Sequence, residues 1–121
     1  MKITLYIPCY NAEDFIGEVL KAVFNQTVPA DEVIVVDDGS TDNTSGIASG
    51  YPIRLIRHSQ NRGLAASRNS AIKNSKAEFV ASLDADCLPS PGWLQHLMQR
   101  VDAPGVGGVG GKLSERYSRD V

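Results

Sequence analysis

The chain has little with which to staple itself together. Its 121 residues include two cysteines, Cys9 and Cys87. Two cannot form a disulfide framework or furnish a zinc site, and their scarcity suggests a reducing compartment. No apolar run approaches the roughly 20 residues of a membrane span. The opening Met1-Lys2-Ile3-Thr4-Leu5 has one basic side chain and a short apolar run before Pro8, which suits a first strand better than a secretory signal. The expected location is therefore cytoplasmic. An excess of one charge is also missing: 12 basic and 14 acidic residues leave a net charge of -2. That offers no broad attraction to nucleic acid or to an anionic membrane. The two histidines, His58 and His96, show no spacing that suggests a metal or a nucleophile. What remains is a composition of 42% hydrophobic and 21% charged residues, ordinary for one soluble domain able to bury a core.

Apolar patterning then divides the chain. Residues 2–7 are short, β-branched and stopped by Pro8, and read as a buried strand. Asn11 is placed to cap a helix whose apolar face is Phe15, Ile16, Val19, Leu20 and Val23. Residues 32–38 hold four consecutive apolar side chains, a strand buried on both faces as in a parallel sheet covered by helices. A short helix at 45–49 and a more polar strand at 53–57, near a sheet edge, follow. A small-residue helix spans 64–74, with Leu64, Ala65, Ala71 and Ile72 as core candidates. The fourth strand runs into Leu83-Asp84-Ala85-Asp86-Cys87. Ser90 and Pro91 suit the start of a helix with Trp93, Leu94, Leu97, Met98 and Val101 as its buried stripe. Residues 106–113 suggest a fifth strand, and 114–121 a polar tail. Alternating strands and helices imply an α/β layered sheet, mostly parallel, with right-handed crossovers.

In such sheets, ligands bind beyond the carboxyl ends of the strands. Three of those ends carry chemistry here: Pro8 to Asn11, Asp37-Asp38, and Asp84 to Asp86. If the fourth strand continues through Asp86, its alternation puts both carboxylates on one side, where a hard divalent cation would neutralise them. Taken alone, the pair could equally cap the next segment or face solvent. Carboxylates at two separate strand ends favour a shared site.

Four motifs occur in order: Ile7-Pro8-Cys9-Tyr10-Asn11, Val35-Val36-Asp37-Asp38-Gly39-Ser40-Thr41-Asp42, Asn61-Arg62-Gly63-Leu64-Ala65-Ala66-Ser67-Arg68-Asn69 and Leu83-Asp84-Ala85-Asp86. Together they resemble the inverting family 2 glycosyltransferases of the Rossmann-like GT-A fold. The resemblance runs from about Ile3 to Gly111 and implies a hexosyltransferase-type enzyme with a nucleotide-sugar donor, UDP-linked by preference. It implies Pro8, Tyr10, Asn11, Asp38, Arg68 and Asp84 as the nucleotide-binding set. Tyr10 and the Pro8 backbone would lie against the base, Asp38 would accept a hydrogen bond from it, and Arg68 would lie near the donor. Asp84 and Asp86 are similar to the family's Asp-x-Asp metal motif, which would hold Mg²⁺ or Mn²⁺ against the diphosphate and aid its departure.

One departure matters. Full-length members continue for about another hundred residues, which carry the acceptor site and the catalytic base. Glu115 and Asp120 lie too soon after the fifth strand to match that base, which is therefore expected beyond Val121. The expectation is a donor-binding domain at 1–113, truncated after about five strands, with no catalytic residue of its own. Apolar surface exposed by truncation could support self-association, and a full-length form could attach peripherally to the inner membrane face. The alternative is a non-catalytic nucleotide or nucleotide-sugar binding module, for which Val121 would be the natural end. An Asp-x-Asp phosphotransferase usually carries its pair after the first strand, which here ends in Pro8-Cys9-Tyr10. Gly105-Val106-Gly107-Gly108-Val109-Gly110 matches the dinucleotide spacing but leaves too little chain for the helix and acidic residue that should follow. Cys9 and Cys87 are expected as buried thiols on neighbouring strands, and Trp93 as a core anchor.

Overall fold

A computed structural model of the protein describes residues 2–101. The elements run β1 (Ile3–Cys9), α1 (Ile16–Val23), β2 (Glu32–Asp37), α2 (Thr44–Ala48), β3 (Arg54–Arg57), α3 (Leu64–Asn74), β4 (Phe79–Ser82) and α4 (Trp93–Val101). The strands form one parallel sheet in the order β3-β2-β1-β4. This is the expected architecture, with β3 at an edge. The expected fifth strand at 106–113 and the polar tail from Ser114 to Val121 lie outside the described residues. The domain boundary expected at 113, and the expectation of a catalytic base beyond Val121, fall there too.

Side-chain alternation divides the core between the two faces of the sheet. Ile3, Leu5, Ile7 and Cys9 of β1, with Val33 and Val35 of β2, pack with Ile16, Val19, Leu20 and Val23 of α1 and Trp93, Leu94 and Leu97 of α4. Tyr6, Ile34 and Val36 project the other way and meet Ala71 of α3. β2 is thus buried on both faces, as its apolar run predicts. The α3 face is much smaller than expected. Ala71 is buried, but Leu64 is 76% and Ile72 47% exposed, and Ala65 is also exposed. A helix of alanines, serines and asparagines can approach the sheet closely without presenting a wide apolar stripe.

Two local expectations need correction. Asn11 does not cap α1. It adopts a left-handed φ of 50°, which asparagine tolerates better than most residues. Its Oδ1 instead accepts a hydrogen bond from the Thr41 N–H at 2.8 Å. Phe15 stands at the start of α1 and is half exposed, not part of the apolar face. Trp93 is buried as a core anchor, while His96 is exposed.

α4 is docked by one buried amide. Gln26 Nε2 donates to the carbonyls of Ala22 at 3.1 Å and Ser90 at 2.7 Å, and Gln26 Oε1 accepts from the buried Leu94 N–H at 3.0 Å. Truncation would leave that N–H without its partner. Gln26→Ala is therefore expected to lower unfolding free energy by about 2 kcal/mol, read by chemical denaturation. A loss below about 0.5 kcal/mol, the range of a neutral surface change, would show that this contact does not hold α4.

Candidate nucleotide and metal site

Parallel pairing brings the carboxyl ends of β1, β2 and β4 to one edge of the sheet. β1 ends against β2, with Cys9 opposite Asp37. Beyond β4, the Leu83 N–H donates to the Tyr6 carbonyl at 3.1 Å.

The loops after β1 and β2 are laced together by short polar side chains. The Asn11 N–H donates to Ser40 Oγ at 2.8 Å, and the Ala12 N–H donates to Thr44 Oγ1 at 2.9 Å. Asp37 and Asp38 have different tasks. Asp37 is fully buried. One of its oxygens accepts the Ser40 N–H at 3.0 Å, and the other accepts the Ser45 hydroxyl. It holds the turn into α2.

Asp38 faces the third motif. Its Oδ1 accepts the Arg62 N–H at 2.9 Å and stands 2.8 Å from His58 Nδ1, while its Oδ2 accepts the Gly63 N–H at 2.8 Å. Burial pushes the Asp38 pKa up, but the hydrogen bonds from His58, Arg62 and Gly63 outweigh it and hold the carboxyl below its ordinary 3.8. The contact requires two glycines. Gly39 has φ 79°, and a β-carbon there would lie 2.5 Å from the Gln60 carbonyl carbon. Gly63 has φ 98° where its N–H turns to the carboxylate.

These segments enclose a cavity of about 270 Å³ lined by Pro8, Cys9, Tyr10, Asp38, Asn61, Gly63, Leu64 and Ser67. Tyr10 is 50% exposed and Leu64 76% exposed, so the cleft offers apolar surface that a planar ligand could cover. Of the expected nucleotide-binding residues, Pro8, Tyr10 and Asp38 meet here. Asn11 is tied into the adjacent loop contact. Arg68 lies on α3 next to Ser67, is exposed, and does not line this cavity.

Asp84 and Asp86 are brought together differently from the expectation. β4 stops at Ser82, so strand alternation does not align them. A turn closed by the Cys87 N–H on the Asp84 carbonyl at 3.2 Å follows instead. Ligand atoms of Asp84, Asp86 and Cys87 all lie within 4.8 Å of one another. Two carboxylates at that separation fit a hard divalent cation that keeps other positions for water or phosphate. Asp86 is exposed, while Asp84 and Cys87 are half-buried. Cys87 is therefore not the buried thiol expected. Cys9 is buried, and burial first, then the charges of Asp37, Asp42 and Asp38, push its thiol up to about 12. It stays neutral near pH 7.

Comparison with known proteins bears on the family and the fold. The family model described as Glycosyl transferase family 2 matches residues 4–120. The chain belongs to glycosyl transferase family 2. Among relatives, Glycosyltransferase AglE of Haloferax volcanii is 34% identical over 122 residues, covering 95% of this chain and 40% of its own length. S. aureus TarS 1-349 in complex with UDP-GlcNAc superposes with a TM-score of 0.76 at 33% identity, over 84% of this chain and 31% of that one. Mannosyltransferase PcManGT from Pyrobaculum calidifontis, in complex with GDP-Man and Mn²⁺, gives 0.80 at 33% identity, over 88% of this chain and 34% of that one. The family 2 chain thus has the Rossmann-like GT-A fold, and it spans well under half the length of these relatives. No helix among the described residues is long and apolar enough to cross a membrane.

The residue that sequence reasoning set aside is His58. It is buried between Asp38 and Ser70, whose Oγ stands 2.8 Å from His58 Nε2. The usable signal was positional. Parallel register pairs Asp37 with Arg57, which places the next residues, Asp38 and His58, side by side.

Because the folded pKa of Asp38 is depressed, its ionisation stabilises the fold above the unfolded value, and that contribution is lost as pH falls through the folded value. Asp38→Asn should therefore melt below the wild type at pH 7, with the gap narrowing as pH falls below about 4. A gap independent of pH from 7 to 3 would show that the carboxylate charge is not what these donors hold.

Proposed function

We propose that these residues bind a nucleotide-diphosphate sugar, UDP-linked, for inverting transfer to an acceptor hydroxyl. The base would lie in the 270 Å³ cleft against Tyr10 and the Pro8 backbone. Asn11 would hold the loop beside it. Asp84 and Asp86 would hold Mg²⁺ or Mn²⁺, with Asp84 also within reach of the ribose, and Arg68 would approach the donor from α3. When bound, the cation would offset the charge on the departing diphosphate.

The observation that carries this reading is the state of Asp38. A carboxylate has about four acceptor positions. Three are filled by His58, Arg62 and Gly63, which leaves one on Oδ2 in a residue lining the cleft. One acceptor position suits one base N–H, as uracil offers at N3. The ligands bound in the structural neighbours support the same class: UDP-GlcNAc for TarS, and GDP-Man with Mn²⁺ for PcManGT. The acceptor site and catalytic base would belong to the part of the relatives' length that this chain does not span. On that reading these residues supply the donor side of the site.

Calorimetry with UDP tests the reading. Binding should require Mg²⁺ or Mn²⁺, and Asp86→Ala should abolish the metal-dependent part. Asp38→Ala should weaken binding about tenfold or more, the effect of losing a charge-assisted hydrogen bond. Equal UDP affinity in excess chelator would overturn the metal assignment, and unchanged affinity in Asp38→Ala would overturn the base assignment.

A further inference from the structure

The base-binding reading leaves open what decides which base enters, and the surroundings of Asp38 bear on that choice. Its Oδ1 is saturated by two donors, His58 Nδ1 at 2.8 Å and the Arg62 N–H at 2.9 Å. Its Oδ2 has one donor, the Gly63 N–H at 2.8 Å. Two of these three are backbone groups, fixed by the course of the 61–63 loop. The third is a side chain, and the carboxylate's capacity turns on it.

His58 is itself held from three sides. Its backbone N–H donates to the Asp37 carbonyl at 2.9 Å, continuing the β2–β3 ladder. Ser70 Oγ on α3 stands 2.8 Å from Nε2. The ring is only 6% exposed. A ring nitrogen facing an ionised carboxylate must carry its proton, so Nδ1 donates.

Resting on the base-binding reading above, we infer that His58 is a positioning and specificity-determining residue that fills Asp38 Oδ1 and so selects a base with one imide N–H over a base with two adjacent donors. Uracil presents a single N3–H between two carbonyls and needs one acceptor position. Guanine presents N1–H and N2–H together, which match the two oxygens of an open carboxylate. With Oδ1 filled, the second guanine donor meets an oxygen that has no lone pair left. An unpaired buried donor is the kind of penalty that gives a binding site strong discrimination. Without the His58 contact, Oδ1 regains a lone pair and that penalty falls away.

The two amide substitutions separate the contacts of the ring. His58→Asn places a donor near the Nδ1 position and keeps the Asp38 contact. His58→Gln reaches the Nε2 position and keeps the Ser70 contact alone. UDP and GDP affinities are measured by calorimetry at one Mn²⁺ concentration, so that the diphosphate contribution cancels in their ratio, with thermal melts to confirm folding. The wild type should prefer UDP. His58→Asn should stay within about twofold of the wild-type ratio, and His58→Gln should lose about tenfold of it. A folded His58→Gln that keeps the wild-type ratio overturns the inference, as does an equal loss in both variants, which would mark a purely structural role. If His58→Gln does not fold, His58→Ala carries the test: a lowered ratio supports the inference and an unchanged one overturns it. A wild type that prefers GDP overturns the role of His58 while leaving donor binding intact. A wild type that binds neither overturns the base-binding reading itself.

Discussion

A buried carboxylate must find donors, and Asp38 draws on two separate parts of the chain for them, one of them braced by a third. The His58 ring comes from the end of β3, two backbone N–H groups come from the 61–63 loop, and Ser70 of α3 braces the ring behind. Each of these segments is otherwise weakly anchored. β3 is a four-residue strand with exposed arginines at both ends, and α3 buries only Ser67 and Ala71. Apolar burial is thin in both, so the polar contacts around one carboxylate add to the β2–β3 ladder and the Arg54–Asn74 contact in placing them. The same demand explains the glycines. Gly39 lets the β2 loop touch the Gln60 backbone, and Gly63 turns its N–H inward where a side chain would oppose the backbone angle.

The opposite side of the strand ends is organised by a different economy. There the side chains of Asn11, Ser40 and Thr44 knit the β1 and β2 loops by accepting the backbone N–H groups of Thr41, Asn11 and Ala12. These residues compete well with regular secondary structure for backbone partners. Their contacts explain why Asn11 leaves the helix it was expected to cap. Asp37 completes the frame from beneath, both oxygens engaged within its own turn. The adjacent pair Asp37-Asp38 thus splits into one residue that supports the loop and one that lines a cleft.

Most of the fold was legible because its signals are local. The apolar run of β2, the helical spacing in α1 and the alternation of elements each report burial directly, and parallel pairing follows from them. The bounds of α3 were legible too, but not its burial, because small side chains carry little periodic contrast. The candidate site was legible where chemistry collects at strand ends: Pro8, Tyr10 and Asp38 share one cavity, and Asp84 and Asp86 share one turn. What was not legible depends on register. His58 looks isolated in sequence because its partners, Asp38 and Ser70, lie 20 and 12 positions away. Likewise the turn at Asp84 could not be told from a longer strand, since both bring the carboxylates to one side.

The charge layout also gives the proposed ligand a direction. Asp37, Asp38 and Asp42 cluster beyond β2, near enough to Cys9 to help raise its thiol to about 12. An anionic diphosphate is repelled there, and the neutral thiol adds neither charge nor relief. On the proposed reading, a neutral base with one N–H to donate is the part of a nucleotide that this end accepts. The β4 turn differs in one respect: its carboxylates lie close enough together to share a cation, and a shared cation turns a repulsive surface into an attractive one. On the proposed reading, base at β2 and phosphates at β4 is therefore the one orientation in which neither end opposes the ligand. The sheet order, with β2 and β4 on opposite sides of β1, separates the two ends as that orientation needs.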